Sequence, residues 1–205
     1  MEVSLVTAAS DLYWDLFMAT IPNKIEYCIR WNVNFIPKKH TTGNIDNERQ
    51  EFMIEAWHRS KALDSWLWFM GADTLIMNHT IDVRKFLDKD YDLIIGQDVN
   101  GINNDVFFLQ NTWKSKQFLE ATLAYNKTMP NDQESMALVI EEMKPDLRTK
   151  VVPQKEFNSY LYNLYHYPDD NGGNYTDGDF VLHLPGLSNQ QRIKLVAEYL
   201  QKVTK

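Results

Sequence analysis

Five large apolar side chains in a row, Trp66-Leu67-Trp68-Phe69-Met70, are followed at once by Gly71, Ala72 and Asp73. A run of this length with polar residues on both sides has no polar face. It reads as a strand buried on both faces, as in a sheet covered by helices above and below. Ligands of open α/β sheets gather outside the carboxyl ends of such strands. Asp73 is therefore expected at a sheet edge, and Gly71 allows the backbone to bend there or a ligand to come close. Taken alone, the same pattern also fits a core strand ending in an acidic turn.

The rest of the chain supplies the alternation that a parallel sheet needs. Glu2 to Ala9 reads as a first strand ending in small residues, and Asp11 to Ala19 as a helix, with helix again over Ile25 to Trp31. Asn32 to Ile36 reads as a strand, Pro37 to Asn47 as a polar loop, and Glu48 to Leu63 as an amphipathic helix. After the central strand, Ile81 to Leu87 reads as a short helix, Tyr91 to Gly96 as a strand, and Asp98 to Asp105 as an Asn-rich loop. Val106 to Leu109 returns as a strand, followed by helices over Trp113 to Tyr125 and Asn131 to Met143. Asn131 or Asp132 is placed to cap the second. Lys150 to Pro153 and Phe180 to Leu184 read as strands around an irregular stretch, Asn158 to Asn174. Ser188 caps a last helix, Gln190 to Val203.

With 205 residues the chain is expected to form one domain. A formal net charge of −7 argues against a nucleic-acid partner, because binding phosphodiesters needs a basic face. The one cysteine, Cys28, excludes an internal disulfide and a cysteine zinc cage, and its apolar surroundings predict a buried, inert thiol. No apolar run is long enough to span a bilayer and no secretion signal opens the chain, so a soluble, cytoplasmic protein is expected, alone or as a domain of a longer chain.

Five polar groupings fall at strand ends or in loops: Thr7 to Asp11, Gly71 to Asp73, Gln97 to Asp105, Asn131 to Glu134, and His183 within Val-Leu-His-Leu-Pro-Gly. Each has a purely structural alternative: a turn, a helix cap or a core histidine. Phosphate-binding glycine loops and a nucleophile elbow are missing. Phosphate would have to be held by a metal ion or by scattered bases such as Arg49, Arg59 and Lys61.

The ordered set of these groupings is more specific than any one of them. Trp66-Leu-Trp-Phe-Met-Gly-Ala-Asp-Thr-Leu-Ile-Met-Asn resembles the Trp-x-Trp-x-Asp-x-Asp-x-x-Ile-x-Asn segment of the galactosyltransferase and mannosyltransferase family that includes plant xyloglucan xylosyltransferases and yeast mannan-building enzymes. Asp92 to Asp105, Asn131-Asp-Gln-Glu, Phe180 to Gly186 and Asn23 to Trp31 resemble four further blocks of that family, in the family's order. The small size is also similar to glycosyltransferase domains of large algal DNA viruses that modify capsid glycans.

The resemblance implies an α/β GT-A fold, with a mixed, mainly parallel sheet flanked by helices. Residues 1–100 would form the nucleotide-sugar-binding half and 101–205 the acceptor-binding half. It implies metal-dependent transfer of a sugar from a nucleoside-diphosphate sugar, most simply a UDP-sugar, to a hydroxyl of a glycan or glycoprotein. Asp73 and His183 would hold Mn²⁺ or Mg²⁺, the imidazole favouring Mn²⁺. Thr7, Ala8, Ala9, Tyr13, Arg49, Ala72 and Asp73 would bind the donor, and Gln97, Asn103 and Asn104 the sugars. Asp132, Gln133 and Asp98 would be the catalytic groups. Two departures stand out: Gly71 replaces the family's first motif Asp, and Asp105 stands where the family usually has Gly. A non-catalytic nucleotide-sugar or glycan-binding module and a nucleotidyltransferase are the alternative readings.

Overall fold

The computed structural model describes residues 1–40, 45–60, 64–98, 100–161 and 173–205. A six-stranded sheet carries the molecule, built from β1 (Val3–Ala9), β2 (Asn34–Lys39), β3 (Trp66–Met70), β5 (Leu93–Asp98), β6 (Gly101–Gln110) and β7 (Thr149–Pro153). Its order is β2-β1-β3-β6-β5-β7. Every strand runs parallel to the others except β6, which is antiparallel to both β3 and β5. A three-stranded sheet, β4 (Thr74–Ile76), β9 (Val181–His183) and β8 (Ser159–Tyr160), lies beyond the end of β3. This is the mixed, mainly parallel α/β architecture expected from the sequence. Strands from the two halves of the chain interleave, since β6 is inserted between β3 and β5.

The central run behaves as its composition dictates. All five residues of β3 are buried. Trp66, Trp68 and Met70 project into one apolar layer with Tyr27, Phe108 and Phe180, while Leu67 and Phe69 project into the other with Phe52, Phe107 and Phe118. This two-residue alternation fixes register, because a slip by one residue would exchange the layers. Helix α1 (Trp14–Trp31) covers the first face, and α2 (Ile45–Arg59), α3 (Trp113–Tyr125) and α4 (Asp132–Glu142) cover the second. Helix α5 (Asn189–Tyr199) packs with α1 and the small sheet around Leu16, Leu75 and Leu182, and Ser188 closes a capping box on its first turn.

Several boundaries differ from those expected. The two helical stretches at 11–19 and 25–31 are one helix, α1, preceded by a single 3₁₀ turn, Asp11–Tyr13. Pro22 lies inside it. The carbonyl that loses its hydrogen bond to Pro22 belongs to Met18, an exposed residue, so the break costs little. β2 runs on to Lys39 and α2 begins already at Ile45, which shortens the expected loop between them. The stretch Ile81 to Leu87 forms only a 3₁₀ turn, Val83–Phe86. The Asn-rich segment 98–105 is not a loop. It is the tip of a β5–β6 hairpin in which Gly101 takes φ +111°, a left-handed value that favours glycine. The irregular stretch 158–174 begins with β8, and its residues 162–172 lie outside those described, as do Gly43, Lys61 and Leu63.

Candidate active site

The carboxyl ends of β1 and β3 open on one edge of the large sheet, and a cleft there is lined by Ala8, Ala9, Ser10, Tyr13, Arg49, Gly71, Ala72, Asp73, Asp105 and Arg192. Reversal of β6 brings residues from its amino-terminal part to the same edge. The β5–β6 pairing jumps from Ile95↔Phe107 to Gly96↔Asn103, so Asn104, Asp105 and Val106 bulge from the ladder. A bulge re-aims side chains. Here Asp105 turns toward Asp73, and the Gly71 N–H donates to the Asp105 carbonyl at 2.8 Å.

His183, at the end of β9, is fully buried and completes the group. Its Nε2 lies 3.5 Å from Asp73 Oδ1 and 3.3 Å from Asp105 Oδ2. Neither contact has hydrogen-bond geometry, so Nε2 is a buried polar atom without a hydrogen-bond partner. One ligand atom from each of Asp73, Asp105 and His183 lies within 4.8 Å of the others. Two hard carboxylate oxygens and one imidazole nitrogen suit a divalent cation that accepts mixed O/N ligands. The orphaned Nε2, facing two carboxylates, is the observation that such an ion would explain.

The charges reflect this arrangement. Burial pushes His183 down, but the charge of Asp73 and the contacts with both carboxylates outweigh it and hold the imidazole at about 9. For Asp105, burial acts upward, and His183, Arg49 and Arg192 together overcome it and keep the carboxyl below its usual range. Asp73 is also paired with Arg192 Nη2 at 3.1 Å. Beneath the cleft the buried Lys24 of α1 donates to the carbonyls of Gly71, 3.1 Å, and Thr74, 2.9 Å. Burial lowers its pKa to about 7, against the opposing pull of Asp73.

On the other side of the cleft Arg49 lies 5.1 Å over the Phe69 ring and pairs with both Asp105, at 3.5 Å, and Asp132. Asp132 Oδ1 also accepts from Asn104 Nδ2 at 3.0 Å. Asp132 is the first residue of α4, while Asn131 acts as the cap by accepting from the Glu134 N–H. Burial raises the Asp132 pKa, although Arg49 pulls it down.

The structure thus brings together Ala8, Ala9, Tyr13, Arg49, Ala72, Asp73, Asn104, Asp132 and His183 from those singled out in the sequence. Thr7 is buried in β1 with its hydroxyl unpartnered, and Gln133 is half-buried on the first turn of α4. Gln97 and Asp98 line a separate groove with Pro153 and Gln154. Asp98 is buried, and its Oδ2 accepts from Tyr160 and Asn103. Arg59 is exposed beside Glu55, away from the cleft lining. Sequence reasoning missed Asp105, Arg192 and Lys24. Only Asp105 left a signal: a carboxylate absent at Gly71 and an unexpected one 34 positions on. Cys28 is buried as expected, its thiol pushed up to about 12 by desolvation.

None of the curated proteins matches the chain by sequence. The fold is similar to that of a glycosyltransferase involved in the glycosylation of the major capsid of PBCV-1, with a TM-score of 0.78 at 14% identity over 97% of this chain and 100% of that one. It is also similar to GlyE of Streptococcus pneumoniae TIGR4, TM-score 0.62 and 11% identity over 97% of this chain and 60% of that one. The galactosyltransferase LgtC, solved with donor and acceptor sugar analogues, gives a TM-score of 0.59 and 11% identity over 98% and 96%. These are GT-A enzymes, and the likeness establishes the fold. Residues 84–194, more than half of the sequence, match the profile of the galactosyl transferase GMA12/MNN10 family, and the chain is a glycosyltransferase belonging to that family.

Proposed function

We propose that the chain transfers a sugar from a nucleoside-diphosphate sugar, a UDP-sugar in the simplest case, to a hydroxyl of a glycan or glycoprotein, with a divalent ion in the cleft. The observation that carries this reading is the convergence of Asp73, Asp105 and the orphaned His183 Nε2 between two guanidinium groups, Arg49 and Arg192. Asp73, Asp105 and His183 would hold the ion, Mn²⁺ by preference because one ligand is imidazole. When bound, such an ion supplies Lewis-acid stabilisation to a leaving diphosphate. Arg49 and Arg192 face the same charge from either side. Ala8, Ala9 and Ser10 leave the backbone open to the nucleoside, and Tyr13 offers it a ring face. Asn104, Asp132 and Gln133 lie toward the sugars, while Asn103, buried and bonded to Asp98, Tyr160 and Asn158, takes a supporting role behind them. Asp132 enters the reaction as a carboxylate kept in position by Arg49 and Asn104. In an inverting transfer, the acceptor oxygen bonds to the anomeric carbon as the bond from that carbon to the diphosphate breaks, and the acceptor proton passes to a base, for which Asp132 is our candidate.

Incubation with a panel of UDP- and GDP-sugars, with Mn²⁺ or with excess EDTA, tests the reading. Nucleoside diphosphate released only in the presence of the ion is expected. Full turnover in EDTA removes the ion from the reaction, and pyrophosphate as the product replaces sugar transfer with nucleotidyl transfer.

A further inference from the structure

His183 is not held by its metal-facing side alone. Its Nδ1 lies 2.9 Å from Asn158 Oδ1, inside the molecule. Asn158 Nδ2 in turn donates to Asn103 Oδ1 at 3.0 Å, and the same oxygen accepts the Asp105 backbone N–H at 3.1 Å. Asn103 Nδ2 donates to the Tyr160 hydroxyl at 2.7 Å, and that hydroxyl donates to Asp98 Oδ2, also at 2.7 Å. Asn103, Asn158 and His183 are all buried.

The chain of bonds has only one consistent polarity. A backbone N–H can only donate, so the Asn103 atom that meets Asp105 is the oxygen. Asn158 must then present its NH₂ group to that oxygen, which leaves its own oxygen toward His183. An oxygen without a proton requires a donor opposite it, so His183 Nδ1 carries hydrogen. When an ion displaces a proton from the ring, the nitrogen that gives up its hydrogen is then the other one, which is left with the lone pair. That nitrogen, Nε2, is the one facing Asp73 and Asp105.

We infer that Asn158 and Asn103 are positioning residues that fix the Nδ1–H tautomer of His183, aim its Nε2 lone pair at the ion, and through the Asp105 backbone N–H set the second ligand in the same step. This rests on the metal reading given above. Asn158 is the decisive member, because its oxygen meets Nδ1 directly, whereas Tyr160 packs edge-on against the ring with centroids 5.1 Å apart.

The test uses the full chain labelled with ¹⁵N-histidine, and Zn²⁺ as a diamagnetic probe. Long-range ¹H–¹⁵N spectra, assigned against His183→Gln, are expected to give a protonated Nδ1 and a metal-bound Nε2. Calorimetric titration of Mn²⁺ into Asn158→Leu is expected to show affinity about 10- to 100-fold weaker, the usual scale for losing an outer-shell partner of a ligand. Asn158→Asp keeps an acceptor toward Nδ1 but loses the NH₂ given to Asn103, so its loss is expected to be smaller than that of the Leu variant. Metal-bound His183 coordinating through Nδ1 overturns the inference, as does a folded Leu variant with undiminished affinity, or equal losses in the Leu and Asp variants. The spectrum of the unaltered chain decides the matter if Asn158→Leu fails to fold. A chain that binds neither ion overturns the metal reading and this inference with it, whereas binding through the wrong nitrogen overturns this inference alone.

Discussion

Gly71 and Asp105 share one space. A Cβ built on Gly71 would sit 3.1 Å from Asp105 Oδ1 and 3.1 Å from Asp73 Oδ1, so the Asp105 carboxylate fills the room that a side chain at 71 would need. The φ of Gly71 is not positive, so the close approach and not backbone conformation explains the glycine. Gly71→Asp is therefore expected to crowd three carboxylates and to weaken Mn²⁺ binding, and Asp105→Gly to weaken it by 10-fold or more through loss of a ligand. The double variant should recover much of the loss, and calorimetry on the three proteins decides. Recovery absent in a folded double variant means the two positions do not substitute for each other. His183 adds a second expectation. Held at about 9, it is doubly protonated in the ion-free chain at neutral pH, and an ion at Nε2 must displace one proton. Apparent affinity should rise by about tenfold per pH unit toward pH 9 and then level off. Calorimetry in buffers of different ionisation heat should count one proton released per ion, and pH-independent binding argues against His183 as a ligand. At this scale the sequence was legible where a residue sits at a strand end, as Asp73 and His183 do. Asp105 and Arg192 were not, because a bulge and a helix packed from the far end of the chain bring them in.

Elements explain what residues alone do not. Helix α1 crosses beneath the β3–β4 turn, and its Lys24 is the only charged side chain it sends fully into the interior among the described residues. The ammonium replaces water for the carbonyls of Gly71 and Thr74 and so braces the turn that carries Asp73. Its pKa of about 7, well below the ordinary lysine value of 10.5, gives a sign to the pH dependence. Between pH 7 and 10.5 the unfolded chain binds the Lys24 proton and the folded chain does not, so this group makes stability rise with pH across that window. Lys24→Met lacks the term. In chelator, the unfolding free energy of the parent minus that of the variant should be larger at pH 9.5 than at pH 7, measured by urea titration. A smaller difference at pH 9.5 means that Asp73 keeps Lys24 charged. The long, strongly patterned elements were read correctly from sequence: β3, α3, α4 and α5 all stand where expected to within a few residues. The hairpin tip at 98–105 was misread because Asn and Gly favour turns locally, and its short pairing of Gly96 to Asp98 with Gly101 to Asn103 has no apolar alternation to mark it as strand.

Across the whole molecule, the three proposed ligands come from separate parts of the fold: β6 of the large sheet, β9 of the small sheet, and the turn between β3 and β4 that joins them. No unfolded chain holds these groups together, so an ion that binds them stabilises only the folded state. At a free concentration 100 times the dissociation constant, the gain is about 2.7 kcal/mol. For a chain of this length each kcal/mol moves the midpoint by about 2–4 °C, so Mn²⁺ should raise the melting temperature by roughly 5–10 °C. Asp73→Asn should fold, since Asp73 lies at the cleft and its side chain keeps 14% of its exposure, yet it should lose most of that rise. A general effect of the ion on a chain of net charge −7 would act on both proteins alike. The opposite edge of the sheet provides the contrast. There Arg148 pairs with the buried Asp92 at 3.0 Å, ahead of β7 and β5. Arg148→Met should lower the ion-free midpoint while leaving the Mn²⁺-dependent rise intact. Thermal scans of the three proteins with and without Mn²⁺ separate a bound ion from a screened charge, and an undiminished rise in Asp73→Asn would move the ion away from this cleft.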